Sequence, residues 1–232
     1  TVYIPYMDDH GMVLAAALRR FGVAAEPLPM ADEETLACAA PHVSGRECYP
    51  FMLTTGDIVK KTRAPDFDPA RSAFLMATAS GPCRFGQYGR FHRCLLDELG
   101  FPDVPVVQLD QTIAYDDDLR QLGVRFRRLG WRSTLAVDCF KKLLLHTRPY
   151  ERSAGDSDSV YRECLARLAD AVERGGGIED CCAFARGRFA AIAVDRTRAK
   201  PLIGIVGEIY VRSNAFSNQH LVRRLEALGA EV

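Results

Sequence analysis

The chain has 232 residues, of which 48% are hydrophobic and 26% charged, as in folded globular proteins. Its 30 Lys and Arg balance 30 Asp and Glu, so net charge favours neither a nucleic-acid nor a membrane partner. No apolar run approaches the roughly 20 residues that cross a bilayer, and Asp8 and Asp9 interrupt any early signal-like segment. We therefore expect a cytoplasmic protein. The chain lacks an initiator Met and ends in a helix-like segment, which predicts a piece of a longer polypeptide.

The first half of the chain alternates strand and helix patterns. Residues 2–6 predict a strand, followed by a helix that Asp8 or Asp9 caps and Gly22 ends. Further strands are predicted at residues 23–28, 73–77 and 104–107, and helices after Asp32, from Pro50 and over 87–99. Residues 73–77 are uniformly apolar, as in a strand buried on both faces. The alternation predicts an α/β fold with a parallel sheet flanked by helices.

The second half is predicted to be mainly helical. Residues 119–144 show a helical pattern broken by Gly123 and Gly130, and helices follow over 160–173 and 178–194. Residues 202–207 predict a fresh buried strand, with a helix over 218–228. We therefore divide the chain into an amino-terminal α/β domain with a helical extension, 1–198, and the first β–α unit of a second α/β domain, 199–232. This unit is either truncated or contributes to the first domain.

The eight cysteines of an unexported chain are expected to be free thiols or metal ligands. Adjacent helical cysteines point about 100° apart, which disfavours a shared metal. Six cysteines are predicted to pack within helices: Cys38, Cys94, Cys139, Cys164, Cys181 and Cys182.

Cys48 and Cys83 differ because each lies in a turn-rich loop before a helix. Backbone amides at such helix starts can hydrogen-bond sulfur. Cys83 also follows the carboxyl end of a predicted strand, where open α/β sheets bind ligands. The absence of Cys-x-x-Cys and His-x-x-x-His patterns argues against a zinc finger. From the residues themselves, a joint site and two unrelated thiols remain equally open.

No other common catalytic pattern stands out. The chain has no Gly-x-Gly-x-x-Gly fingerprint, no P-loop and no Gly-x-Ser-x-Gly elbow. Its histidines have no ligand-like spacing, and a cysteine nucleophile would need a base that we cannot nominate. Catalytic residues therefore stay unassigned.

Two cysteine motifs point to a family. Residues 45–51 read Gly-Arg-Glu-Cys-Tyr-Pro-Phe, and residues 80–88 read Ser-Gly-Pro-Cys-Arg-Phe-Gly-Gln-Tyr. With residues 54–57, 147–151 and 207–218 in the expected order, the chain resembles the 2-hydroxyacyl-CoA dehydratases. It is similar to the D-component-like proteins of 2-hydroxyglutaryl-CoA dehydratase, in the branch described as CoA-substrate-specific enzyme activase.

This resemblance implies flavodoxin-like domains that hold an iron–sulfur cluster through three cysteine thiolates. Cys48 and Cys83 match the first two ligands, and the third is expected beyond this chain. The implied cofactor is a 4Fe–4S cluster, which the fragment can lack, and the fragment by itself is expected to be inactive.

The resemblance also implies the chemistry, a lyase reaction of anaerobic metabolism. An activase uses ATP to inject one low-potential electron, and a ketyl radical then permits loss of water from a 2-hydroxyacyl-CoA. The implied partners are the activase domain or protein and an acyl-CoA substrate. Near the cluster, amides at Gly81 and Gly86 can bond to sulfides. Arg46 and Arg84 can stabilise cluster charge or face the electron donor, with surface salt bridging as an equally weighted alternative.

Two other functions remain open. A related branch of ATP-dependent reductases carries a double-cubane cluster, and a non-catalytic scaffold or regulatory domain would hold inert thiols. The sequence does not identify the acyl-CoA, and dimer formation is left open.

Overall fold

Four short strands form one parallel sheet in the computed structural model, which describes residues 1–79, 81–110 and 120–232. The strands β1 to β4 are Val2–Ile4, Ala25–Pro27, Ala73–Thr78 and Val106–Asp110. Their order in the sheet is β2-β1-β3-β4. This is the start of the flavodoxin-like order, in which the direction of winding reverses between β1 and β3.

Helices flank the sheet on both faces. The described residues form nine α-helices, α1 to α9: His10–Arg20, Glu33–Ala39, Tyr49–Thr62, Tyr88–Glu98, Gly123–Thr147, Asp156–Arg174, Ile178–Ala190, Ile209–Ser213 and Leu221–Ala227. None of the helices in these ranges is both long and apolar enough to cross a membrane.

Alternating strand residues divide the core between the two faces. Ile4 and Leu75 pack with apolar residues of α1, α5, α6 and α7. Tyr3 and Phe74 pack with α2, α3 and α4 on the other face. Full burial of side chains of this size contributes roughly 1.5–3 kcal/mol each. The predicted α/β class is confirmed, as is the burial of the third strand on both faces.

Helix α5 corrects the predicted break at Gly130, whereas the break predicted at Gly123 coincides with the junction between a 3-10 turn, Arg120–Leu122, and the helix. It runs without interruption from Gly123 to Thr147, through Gly130. An internal glycine costs about 1 kcal/mol relative to alanine but does not force a break. Here burial of Phe126, Val137 and Phe140 in the core holds the helix together.

The predicted strand at residues 202–207 is also wrong. Its pairing is a single bridge between Leu202 and Glu231, and Leu202 and Val206 are 77% and 91% exposed. An apolar run becomes a strand only where a neighbouring strand can pair with it. The segment is instead anchored by Tyr210, which is buried beside Leu53 and Ala31. The division at residue 199 stays a prediction.

The observed burial of the cysteines differs from the prediction in two cases. Cys38, Cys164 and Cys181 are buried, as predicted, and Cys182 is half-buried. Cys94 and Cys139 are exposed, so the prediction that they pack in the core is wrong. Both lie on amphipathic helices, where the face that a residue occupies depends on how the whole helix docks.

Candidate functional site

The carboxyl edge of the sheet between β1 and β3 is the crevice where doubly wound folds bind ligands. The loop after β3 carries Cys83 to this edge. Helix α3 leads back to the amino end of β3, so its first turn, preceded by Cys48, lies at the same edge. The structure therefore places both candidate cysteines at the crevice.

Cys48 occupies the N-cap position of α3 and is half-buried against Phe51 and Tyr88. Its side chain makes no capping hydrogen bond. Pro50 lacks an amide hydrogen, and the Phe51 amide donates to the Cys48 carbonyl oxygen at 2.9 Å. The helix start therefore offers sulfur fewer free amides than a generic helix would.

Cys83 begins a 3-10 turn over Arg84–Gln87 and is exposed. Its thiol also accepts no capping hydrogen bond. The Gly86 amide donates to the Cys83 carbonyl oxygen at 3.3 Å, so this amide is engaged with backbone. The expected amide–sulfide contact at Gly86 would need that weak bond to be replaced.

The two loop glycines have steric roles. Gly81 has φ +147°, a backbone conformation that favours glycine. A Cβ on Gly86 would lie 2.4 Å from the carbonyl oxygen of Ala79, and Thr78 donates a 3.2 Å hydrogen bond to the Gly86 carbonyl. Gly86 thus lets the loop fold back tightly onto the end of β3.

Arg46 and Arg84 line a small cavity of about 360 Å³ together with Cys48. The Arg84 guanidinium donates a 3.2 Å hydrogen bond to the Arg46 carbonyl oxygen. Neither guanidinium makes an ion pair with a described residue, so the alternative of surface salt bridging finds no partner in that part of the chain. The cavity mouth therefore carries two cations without an ion-pair partner among the described residues, beside the carboxylate of Glu47.

Tyr88, the first residue of α4, is buried and packs against Cys48. Burial raises the pKa of Tyr88, and the neighbouring Cys48 acts in the same direction. The charges of Cys48, Glu208 and Cys83 act in the same direction. Tyr88 therefore packs directly beside Cys48, and Cys83 lies in the loop that leads into the helix of Tyr88.

His92 lies beneath the cavity and is fully buried. Its ring stacks on Phe51 at a centroid distance of 5.2 Å, and its Nε2 lies 3.3 Å from the Thr55 hydroxyl. Burial lowers the pKa of His92 to about 3, so the ring is neutral at pH 7. Without solvent access it serves as packing and does not supply the missing catalytic base.

The sequence interpretation missed most of the cavity wall. Helical spacing offered a signal, since Arg84, Gln87, Tyr88 and Phe91 recur at intervals of three and four residues and all line the cavity. If these four residues are taken as one helix face that follows Cys83, Tyr88 becomes a candidate site residue.

A polar network at the end of β1 was also missed. Asp9 is the N-cap of α1 but makes no capping bond; it accepts hydrogen bonds from Tyr6 at 2.8 Å and Tyr161 at 2.7 Å. Asp8 contacts Lys141 and His10. Burial opposes ionisation of Asp8, but the bonds from His10 and Lys141 outweigh it and hold its pKa below the usual value. The predicted N-cap position is therefore confirmed at Asp9, although its side chain ties β1 to a distant helix and makes no capping bond.

The described residues contain no group of three His, Cys, Asp or Glu side chains placed to hold a metal ion. Cys48 and Cys83 can therefore supply at most part of a ligand set.

The strand order and the crevice define the class of this protein as a flavodoxin-like α/β fold with a cysteine-bearing carboxyl edge. Comparison with protein-family models, with curated proteins and with solved structures found no match for this chain.

Proposed function

We propose that this chain is the cluster-binding part of an iron–sulfur protein similar to the 2-hydroxyacyl-CoA dehydratases, which receives a low-potential electron from an ATP-dependent activase. The observation that carries the proposal is the hydrogen bond from Arg84 to the Arg46 carbonyl oxygen, which holds the Cys48 and Cys83 loops together at the carboxyl edge of the sheet. The two motifs that resemble this family supply the chemistry.

The donor atoms fit an iron–sulfur cluster in kind but not in number. Thiolates are the usual ligands of such clusters, and four-iron clusters generally need more than two protein ligands. Two thiols lie in adjoining loops here, and the described residues contain no group of three side chains placed to hold a metal. The remaining ligation is proposed to come from another part of the polypeptide, as the resemblance implies.

The surrounding residues have definable roles toward that group. A phenol beside a ligand sulfur can donate a hydrogen bond to it and so stabilise added negative charge, and Tyr88 packs against Cys48. Arg46 and Arg84 add positive charge at the rim. Phe51 and Phe85 pack with Tyr88 and Cys48 in one apolar group, which would exclude water from the inner side of the site. When bound, the cluster would supply one-electron chemistry.

Anaerobic reconstitution of the full-length polypeptide with ferrous iron and sulfide tests the proposal. Iron and acid-labile sulfide per chain are measured for the wild type and for Cys48→Ser and Cys83→Ser, which should lose most of the bound iron. The exposed thiols Cys94 and Cys139 provide the controls Cys94→Ser and Cys139→Ser, which should load like the wild type.

Equal loading of all five proteins would refute the assignment of Cys48 and Cys83. A double-cubane stoichiometry would instead favour the related ATP-dependent reductase. Tyr88→Phe provides a second readout, because it should keep the iron yet lower the reduction potential by removing a hydrogen bond.

A further inference from the structure

Helix α5 exposes a row of apolar side chains away from the core. Val124, Trp131 and Leu135 are 68%, 68% and 46% exposed. They follow one another at intervals of seven and four residues, so they share one face of the helix. Single exposed apolar residues are ordinary, but an aligned row is typical of an interaction surface.

The row borders a groove of about 1150 Å³ between α5 and α7, the α5/α7 groove. Leu135 and Cys139 of α5, with Ile178 and Cys182 of α7, line it. Its α5 lining runs from Arg132 to His146, which is about 20 Å of helix at 1.5 Å per residue. The groove exceeds the usual 300–1,000 Å³ of small-molecule pockets and matches the length of a partner helix of about four turns.

Cations without partners surround this apolar surface. Among the described residues, Arg125, Arg128, Lys142 and Arg186 are exposed and make no ion pair. The first two flank the exposed row on α5, and the last two line the groove. The surface is therefore apolar along its centre and positively charged around it.

The acidic side chains on the groove lining are already engaged. Asp138 contacts His10 at 2.8 Å, Glu231 contacts His146 at 2.8 Å, and Glu179 pairs with Arg132. Each of these carboxylates thus contacts a basic side chain other than the four unpaired cations.

The charges around the groove indicate which kind of partner can bind there. A second copy docked by the same face would set cations against cations, which is unfavourable. A lipid surface is flat, whereas this site is concave. We propose that the α5/α7 groove is a docking site for an amphipathic helix of a protein partner, one whose apolar stripe is flanked by acidic residues. The site lies on the sheet face opposite to α3 and α4, and thus goes beyond the proposed cluster site.

Trp131 is the only tryptophan of the chain, and it reports directly on this surface. The probe is a synthetic Leu/Glu peptide of about 18 residues, with leucines at helical i, i+3, i+4 and i+7 spacing. Titration should shift Trp131 emission to shorter wavelength with a saturable dependence. The affinity should fall about tenfold between about 0.05 and 0.5 M salt, because screening weakens exposed charge pairs.

Matched variants locate the binding. Leu135→Glu and Lys142→Glu should each weaken peptide binding about tenfold, as expected for loss of an apolar anchor or reversal of a rim charge. Val206→Glu and Arg90→Glu make the same changes at exposed positions outside the groove and should bind like the wild type.

Three results would overturn the proposal. The first is no emission shift with the Leu/Glu peptide, or an equal shift with a scrambled or Leu/Lys peptide. The second is a shift with phosphatidylserine vesicles but not with the peptide, which would assign the face to a membrane. The third is self-association in sedimentation equilibrium that Leu135→Glu abolishes, which would assign it to a second copy.

Discussion

The guanidinium of Arg84 donates a 3.2 Å hydrogen bond to the backbone carbonyl of Arg46. Arg46 lies two residues before Cys48, and Arg84 directly follows Cys83. The bond therefore joins the two cysteine loops, which are far apart in sequence, at the mouth of one cavity.

Arg84→Ala should loosen both loops without unfolding the protein. Amide hydrogen exchange should become faster over residues 44–48 and 81–87, because the bond that joins them is lost. The free energy of unfolding should change by less than about 0.5 kcal/mol, since the side chain is exposed. Arg90→Ala, an exposed control on α4, should leave exchange in both loops unchanged. Unchanged exchange in Arg84→Ala would refute a linking role.

Gly86→Ala should destabilise the protein, because the added Cβ would lie 2.4 Å from the Ala79 carbonyl oxygen. We expect a loss of about 1–3 kcal/mol in urea unfolding, the usual cost of overpacking. Gly187→Ala in α7 is the matched control, since its Cβ meets nothing within 4 Å. This control should gain up to about 1 kcal/mol through helix propensity. Effects of the same sign would contradict the steric account.

Asp57 is buried, and its Oδ2 has no hydrogen-bond partner among the described residues. Burial raises the pKa of Asp57 from 3.8 to about 8. The folded chain then keeps a proton that the unfolded chain releases, so this group lowers stability as pH rises from about 4 to about 8. Each pKa unit corresponds to about 1.4 kcal/mol.

The asparagine of Asp57→Asn cannot ionise. The variant should therefore lack the loss of stability that Asp57 causes between about pH 4 and pH 8. The free energy of unfolding of the variant, measured by urea titration across this pH interval, should increase relative to that of the wild type as pH rises. Parallel curves for the two proteins would show that Asp57 does not titrate in this interval.

His92 should produce the opposite pH dependence. Burial lowers its pKa from 6.5 to about 3, so the unfolded chain binds a proton that the folded chain does not. Its contribution to stability is therefore lost as pH falls from about 6.5 toward 3. His92→Gln should cost about 1–3 kcal/mol at neutral pH through poorer packing, yet show a shallower acid-side decline. An equally steep decline in the variant would argue against a neutral buried imidazole.

Much of the fold follows from local patterns. Short apolar runs located β1 to β4, and helical periodicity located the helices that flank them, because both patterns involve only residues close in sequence. The loop positions of Cys48 and Cys83 were also predictable, since Gly and Pro mark turns. Tyr88 was missed because its role depends on the packing of α4 against the start of α3.

Short windows of residues encode the alternation of strands and helices in the first half of the chain and the loop positions of Cys48 and Cys83, so both were predictable without the fold. Which residues are exposed, paired or buried depends on the three-dimensional fold. It exposed Cys94 and Cys139, left residues 202–207 without a strand partner, and buried Asp57. These outcomes depend on contacts between segments distant in sequence, whose burial and pairing free energies no local pattern contains.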